Sequence, residues 1–280
     1  MRQESIPQSC DVMSWDFLWR PGEYLKRNFL GPVPPGTPAR TLAAGVVGSL
    51  ALFPLVWAQA AAAHRHVPRL PPARPPHHGM FSGVGDPIRV LAIGESTVSG
   101  VGLARGDETI AATTARALAR VTRRPAAWHA HGLGGATARE GLDRILPRIP
   151  REPVDLLVIA FCVNDLAAYR SPARFADDLA AIVTAARDRV GDAAVVIAGV
   201  APIAAFPALP WPLGSILGWR AAAMQAAAEG LTQRLPKLVV ERITTPLTRD
   251  LFASDGFHPN PKAHAIWGEN IAALALPLLA

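Results

Sequence analysis

Hydrophobic and polar positions follow a regular pattern from about residue 86 onward. Five continuous apolar runs of strand length occur, at Arg89–Ile93, Ala126–Ala130, Val154–Phe161, Ala193–Val200 and Leu238–Ile243. Stretches with helical spacing follow them, at Thr109–Val121, Ala136–Ile145, Pro172–Arg189, Ile216–Leu235 and after Pro261. Apolar runs without polar alternation are typical of parallel strands that are buried on both faces. The pattern therefore predicts a three-layer α/β/α domain with a five-stranded parallel sheet.

The N-terminal part of the chain has a different composition. Residues 41–63 contain no charged residue, and as a helix these twenty-three positions would extend roughly 35 Å, enough to cross a bilayer core. Aromatic and basic residues precede this stretch, as suits the lipid headgroup layer. We predict a single membrane-spanning helix and a membrane-associated protein. Basic residues flank the segment on both sides, so its orientation in the membrane is left open. The alternatives to a membrane-spanning helix are a helix buried in a soluble fold and a helix at the membrane interface.

A proline-dense run over residues 66–79 favours an extended, semi-rigid chain. Its histidines lack the spacing of metal ligands and are expected to be solvated. The predicted organisation is a juxtamembrane segment (1–40), a transmembrane helix (41–63), a proline-rich linker (64–86) and a folded domain (87–280).

Composition narrows the possible partners. The 280 residues are 50% hydrophobic and 18% charged, with a net charge of +6. The basic residues are scattered and form no stripe interleaved with aromatics, which argues against nucleic-acid binding. Only Cys10 and Cys162 are cysteines, so neither a disulfide framework nor a cysteine-based metal site is expected. No metal or other cofactor is predicted.

Polar motifs stand where four of the predicted strands end, the edge at which open α/β sheets bind ligands. Ser96 lies in "GEST", Gly135 in "HGLGGATAREGL" and Asn164 in "FCVNDL". An asparagine amide is an uncharged donor for an oxyanion, and a glycine lets the backbone amide approach one closely. In "DGFHPN", Asp255 precedes His258 by three residues and can hold its Nδ1–H, which leaves Nε2 to take a proton from a serine.

In this order, the motifs resemble those of the SGNH hydrolases, also called the GDSL esterase/lipase family. The resemblance covers roughly Pro87 to the C-terminus, and "DGFHPN" is its most specific part. It implies a flavodoxin-like fold with sheet order 2-1-3-4-5. It also implies Ser96 as nucleophile, His258 as general base and acid, and Asp255 as the orienting carboxylate. The implied oxyanion hole consists of the amides of Ser96 and Gly135 and the side chain of Asn164.

Two positions depart from the family pattern. Glu95 stands where the family has aspartate, a position that commonly supports the loop, so little loss is expected. Cys162 replaces a glycine before Asn164, which affects the fit of that loop. Cys162 is itself a rival nucleophile, but thiols at strand ends are usually inert, and no histidine neighbours it in the sequence.

The expected function is hydrolysis of carboxylic esters through an acyl-enzyme, as in esterases, lipases, lysophospholipases or thioesterases. The expected partner is a small-molecule ester, either a lipid or an acylated sugar. Alternatives are a carbohydrate O-acetylesterase of the same fold and a catalytically silent, membrane-tethered binding module. The apolar segment at residues 200–219 is interpreted either as a structured connection or as a rim that accepts an acyl chain.

Overall fold

A computed structural model describes residues 54–63 and 65–279 of the chain. Within these residues, six strands form one sheet in the order β1-β3-β2-β4-β5-β6. The strands are β1 (His78–Phe81), β2 (Ile88–Gly94), β3 (Ala126–Gly132), β4 (Leu156–Ala160), β5 (Ala194–Ile197) and β6 (Leu238–Val240). β2 to β6 are parallel to one another, so the five predicted strands and the order implied by the resemblance are confirmed.

The prediction of a purely parallel, five-stranded sheet is wrong, because β1 adds a sixth, antiparallel strand. β1 lies in the segment predicted as a proline-rich linker, and it pairs with β3 so that His78 faces His129 and Phe81 faces Ala126. The pairing satisfies backbone groups along the edge of β3 that would otherwise stay open. Four residues are too few to show an alternating pattern in the sequence.

Helices cover both faces of the sheet. From residue 96 to residue 275 the α-helices are α1 (Ser96–Ser99), α2 (Ile110–Thr122), α3 (Ala138–Glu140), α4 (Val163–Ala167), α5 (Pro172–Val190), α6 (Leu213–Glu229) and α7 (Pro261–Ala275). Alternate residues of β2 serve two cores: Val90 and Ala92 pack with α2 and α7, whereas Leu91 and Ile93 pack with α5 and α6. Burial on both faces explains why the strand sequences are continuously apolar.

A capping side chain and a proline mark the start of each of the two helices α5 and α7. The Ser171 hydroxyl accepts a hydrogen bond from the amide of Arg174 at 3.3 Å, and Pro172 is the first residue of α5. The Asn260 side chain accepts one from the amide of Ala263 at 3.1 Å, and Pro261 is the first residue of α7. Both starts combine a capping oxygen with a proline that has no N–H to leave unpaired.

The end of the predicted membrane helix packs on the folded domain. Residues 54–63 are helical, and Ala60 and Ala63 are buried in the core formed with α5 and α6. The Gln59 side chain donates to the carbonyl of Trp211 at 2.7 Å and accepts from the amide of Leu213 at 3.2 Å. These contacts join the segment to the start of α6.

Across 54–63 and 65–279, no helix has both the length and the apolar character needed to cross a bilayer, so the predicted spanning helix has no support there. Most of that prediction, residues 41–53, lies outside the described residues, as do the segment 1–40 and Cys10. The membrane location and the domain boundaries stay predictions.

Candidate active site

Two strand-end glycines set the position of Ser96. Gly94 of β2 and Gly132 of β3 are register partners, and α1 begins two residues after Gly94. A Cβ atom on Gly132 would lie 2.1 Å from the amide nitrogen of Ser99, and one on Gly94 would lie 2.3 Å from the carbonyl oxygen of Ala160. Any side chain at either position would displace the backbone that it meets. These glycines therefore let α1 cross the strand ends and hold Ser96 at the carboxyl edge of the sheet.

Asp255 and His258 form a buried hydrogen-bonded pair. His258 Nδ1 lies 2.6 Å from Asp255 Oδ2, and Asp255 Oδ1 accepts from the amides of Phe257 and His258 at 2.9 and 3.0 Å. Burial by itself would raise the pKa of Asp255, but the His258 ring and the two amides bring that pKa below its usual value. An ionised carboxylate here fixes the ring orientation and keeps the proton on Nδ1.

His258 Nε2 is buried and has no hydrogen-bond partner among the described residues. Ser96 and His258 line the same cavity, but no hydrogen bond joins Ser96 Oγ to Nε2. Catalytic hydrogen bonds of this kind are often long without substrate and shorten in the complex. The structure thus brings serine and histidine to one cavity without closing the contact between them.

The residues predicted to form an oxyanion hole come from neighbouring loops. Gly135 has a φ of +80°, a left-handed conformation that favours glycine. Its loop is tied to the end of β2 by the amide of Leu133, which donates to the carbonyl of Gly94 at 3.0 Å. The Asn164 side chain donates to the carbonyl of Ala136 at 3.2 Å, so Asn164 lies against the Gly135 loop.

Glu95 connects the Ser96 loop to Asn164. Its carboxylate accepts from the amides of Val163 and Asn164 at 3.1 and 3.2 Å, and also from the Asn164 side-chain amide. Burial raises the pKa of Glu95 to about 7, although these donors act in the opposite direction. Both Asn164 side-chain hydrogens therefore have protein acceptors, and an oxyanion would have to share or replace one of them. The hydrogen bonds between Glu95 and Asn164 were not predicted from the sequence. The sequence feature that points to them is the acidic residue directly before Ser96.

Cys162 is poorly suited to act as the nucleophile. Its side chain is buried, and burial raises the pKa of the thiol well above its usual value, with further contributions from Glu95 and Asp165. The reactive thiolate is therefore disfavoured at neutral pH. Asp165 has a structural contact instead: its Oδ2 accepts from the amide of Ala138, the first residue of α3, at 2.8 Å. Burial raises the pKa of Asp165 to about 8.

One cavity extends from Ser96 and His258 along the carboxyl ends of β4, β5 and β6 to α7. It contains about 940 Å³ of empty space, open solvent included. Most of its lining is apolar, including Phe161, Phe206, Ile243, Leu247, Phe252 and Ile266. Nowhere in the described chain are three His, Cys, Asp or Glu side chains grouped as a metal ion would require.

The segment at residues 200–219 is a structured connection, as one of its two interpretations predicts, and its role in accepting an acyl chain stays a prediction. Ile203, Leu209 and Leu213 are buried in the core, as a structured connection requires. Phe206 is also buried and lines the cavity. The segment is thus an ordered connection that contributes one wall of the cavity.

Comparison with known proteins identifies the family. Residues 92–266 match the model of the GDSL-like lipase/acylhydrolase family. The chain belongs to this family. A GDSL-like esterase of Mycobacterium tuberculosis is 27% identical over 232 residues, which cover 76% of this chain and 73% of the relative. As a GDSL-type protein, the chain is a serine ester hydrolase.

Solved structures share the GDSL fold. A lipase from a goat rumen metagenome matches with a TM-score of 0.55 and 15% identity, over 66% of this chain and 96% of the lipase. A carbohydrate esterase family 2 enzyme of Corynascus thermopiles (Myceliophthora fergusii) matches with a TM-score of 0.54 and 17% identity, over 69% of this chain and 66% of that enzyme. At these identities the similarity shows the fold alone.

Proposed function

We propose that this GDSL-type hydrolase cleaves carboxylic esters through an acyl-enzyme formed on Ser96. The observation that carries the proposal is the 2.6 Å contact between His258 Nδ1 and Asp255 Oδ2. Because Asp255 holds Nδ1, Nε2 is the ring nitrogen of His258 that can exchange protons. His258 and Ser96 line the same cavity. This is the division of roles that a serine nucleophile and its base require.

In the acylation step, His258 Nε2 takes the proton of Ser96 Oγ as the oxygen bonds to the carbonyl carbon. The carbonyl oxygen gains a negative charge, which the amides of Ser96 and Gly135 and the side chain of Asn164 stabilise. The bond to the leaving alcohol then breaks, and the protonated His258 gives its proton to the alcohol oxygen. Asp255 stabilises the positive imidazolium throughout.

Deacylation repeats the same proton transfers with water. His258 Nε2 takes a proton from the water molecule, whose oxygen attacks the acyl carbon. The bond to Ser96 Oγ breaks, and His258 returns a proton to that oxygen. The products are a carboxylic acid, an alcohol and the free enzyme, so atoms and charge balance.

The cavity favours esters that carry an apolar chain. Its walls are mostly aliphatic and aromatic, and apolar groups gain free energy when such walls remove them from water. A carbohydrate O-acetylesterase is the second candidate, supported by the fold shared with a carbohydrate esterase. A series of aryl esters from acetyl to dodecanoyl separates them: we expect kcat/KM to rise beyond acetyl, and a maximum at acetyl would favour the sugar esterase.

Substitution of Ser96 tests the mechanism. We expect Ser96→Ala to abolish both the hydrolysis of p-nitrophenyl esters and the labelling of the protein by a fluorophosphonate probe. Ser82→Ala, at an exposed serine outside the site, is the matched control and should behave as the wild type. Turnover that persists in Ser96→Ala would exclude Ser96 as the nucleophile, and a wild-type protein that resists labelling would favour the silent binding module.

A further inference from the structure

Glu241 places a buried carboxyl group in the lining of the active-site cavity. It follows β6 directly, and only 2% of its surface is exposed. Oε2 accepts from the amide of Gly199 at 3.1 Å and from the Trp267 indole N–H. Oε1 is also buried, but it has no hydrogen-bond partner in the part of the chain that the structure describes. A buried acceptor without a partner destabilises a fold, so it calls for an explanation.

The neighbouring side chains leave Oε1 without a partner. The Asn270 side chain of α7 lowers the pKa of Glu241 through a hydrogen-bonding interaction with its carboxyl group, but no donor among the described residues reaches Oε1 with full hydrogen-bond geometry. Gln225 donates to the backbone carbonyl of Glu241 at 2.9 Å and not to the carboxyl group. Burial has the largest effect on this carboxyl and raises its pKa overall. One oxygen of the carboxyl group thus holds it in position, while the other has no hydrogen bond among the described residues.

The cavity that Ser96 lines also reaches Glu241. Ser96 follows β2 and Glu241 follows β6, and β4 and β5 lie between these strands in the sheet. Three interstrand spacings separate the two strand ends by about 14 Å. Ala198, Ile243 and Ile266 are among the apolar residues that line the cavity with them. An apolar arm of medium length that starts at Ser96 can therefore end near Glu241.

We propose that Glu241 binds a hydroxyl group at the far end of the apolar arm of the ester substrate. This inference rests on the proposed function, because that function places the ester carbonyl at Ser96. A hydroxyl both donates and accepts hydrogen bonds, so it pairs with Oε1 in either protonation state of the carboxyl. It is also neutral, and it avoids the desolvation cost that an ammonium group would meet in an apolar cavity.

The wild-type enzyme provides the first test, through pairs of esters that differ only in the terminal hydroxyl. For an arm in the acyl part, the pair is p-nitrophenyl 8-hydroxyoctanoate and p-nitrophenyl octanoate. For an arm in the alcohol part, it is the monoacetate of octane-1,8-diol and octyl acetate. We expect kcat/KM to be about tenfold higher for the hydroxylated member of one pair. Equal or lower values in both pairs would overturn the inference, since a wholly apolar site disfavours a hydroxyl.

Variants of Glu241 assign the preference to this residue. Glu241→Met removes both oxygens at similar length, and we expect it to abolish or reverse the preference. Glu241→Gln keeps a polar side chain at this position of the lining and should retain the preference in the same direction. Leu247→Met is the matched control in the same lining, and its hydroxyl preference should equal that of the wild type. A preference that survives in Glu241→Met would overturn the assignment.

The ratio within a pair does not depend on the amount of folded enzyme, because both esters react at the same serine. Failure of this inference is also distinguishable from failure of the proposed function. Hydrolysis of the unsubstituted esters without any hydroxyl preference would overturn only the role of Glu241. Turnover that persists in Ser96→Ala would overturn the proposed function, and the inference with it.

Discussion

The carboxylate of Glu95 and the side-chain amide of Asn164 form a buried hydrogen bond between residues that are 69 positions apart in the sequence. The same carboxylate accepts from the amides of Val163 and Asn164, at the start of α4. The residue before the proposed nucleophile therefore orients the proposed oxyanion donor. Glu95 is a positioning residue, since it would act on the ester through Asn164.

Glu95→Gln should reduce turnover more than substrate binding. Glutamine replaces one of the two acceptor oxygens with an NH₂ group, so at least one N–H group that now donates to Glu95 loses its acceptor, and the Asn164 side chain should be held less firmly. Loss of a whole oxyanion donor costs about 10²–10³ in kcat, and we expect misorientation to cost about tenfold or more. Steady-state kinetics with a p-nitrophenyl ester should show a lower kcat, with KM little changed.

Two further variants control this prediction. Glu95→Asp restores the family residue and keeps a carboxylate, so it should recover more activity than Glu95→Gln. Glu269→Gln alters an exposed surface ion pair with Arg120 and should have no effect on kcat. If Glu95→Gln turns over as fast as the wild type, Glu95 does not position Asn164.

Asp255→Asn should decrease kcat by about 10⁴-fold, the magnitude known for the same change in a serine-protease triad. Asparagine no longer offers a carboxylate to His258 Nδ1–H, which favours the wrong tautomer and leaves the imidazolium without its counter-charge. Steady-state kinetics on a p-nitrophenyl ester measure the loss. Asp250→Asn is the matched control, because Asp250 is exposed and pairs with Lys262 on the surface. Comparable losses in both variants would show a general effect on the loop instead.

Buried titratable groups predict an unusual dependence of stability on pH. Burial raises the pKa of Glu95 to about 7 and that of Asp165 to about 8. The folded protein then keeps protons that the unfolded chain has released, so their contribution to stability is lost as the pH rises through these values. Burial lowers the pKa of His131 to about 4 and that of His264 to about 3, and their contribution grows with pH until about 6.5.

Above pH 6.5 the histidine contribution is constant, and the carboxyl contribution dominates. We expect the free energy of unfolding to fall between pH 6.5 and 8, by on the order of 2 kcal/mol. Urea unfolding at several pH values measures this slope. Asp165→Asn, which mimics the protonated side chain, should make the slope shallower, whereas the exposed Asp188→Asn should leave it unchanged. Stability that rises across this interval would contradict the prediction.

Gly132→Ala should destabilise the fold and displace Ser96. The added Cβ would lie 2.1 Å from the Ser99 amide nitrogen, so α1 would have to move. We expect a loss of at least about 2 kcal/mol in the free energy of unfolding, together with reduced turnover. Gly134→Ala is the matched control for stability, since its Cβ would meet no atom within 4 Å. Equal melting temperatures for Gly132→Ala and wild type would show that the helix can shift without cost.

The sequence by itself determined the alternation of strands and helices and the placement of polar motifs at strand ends. Short continuous apolar runs between amphipathic helices are typical of strands that are covered on both faces, and the five predicted strands correspond to β2 to β6. The pairing of Asp255 with His258 was also predictable, because three residues separate them and local backbone geometry brings their side chains together.

Only the tertiary structure decided the contacts between distant segments. β1 appears because the open edge of β3 accepts another strand, although residues 78–81 carry no clear strand pattern. Glu95 meets Asn164 because β2 and β4 are neighbours in the sheet, and Glu241 shares a cavity with Ser96 because β6 ends at the same edge. Such contacts depend on strand order and on the direction of each side chain. Hydrophobic periodicity encodes only which face of an element is buried, so it does not specify them.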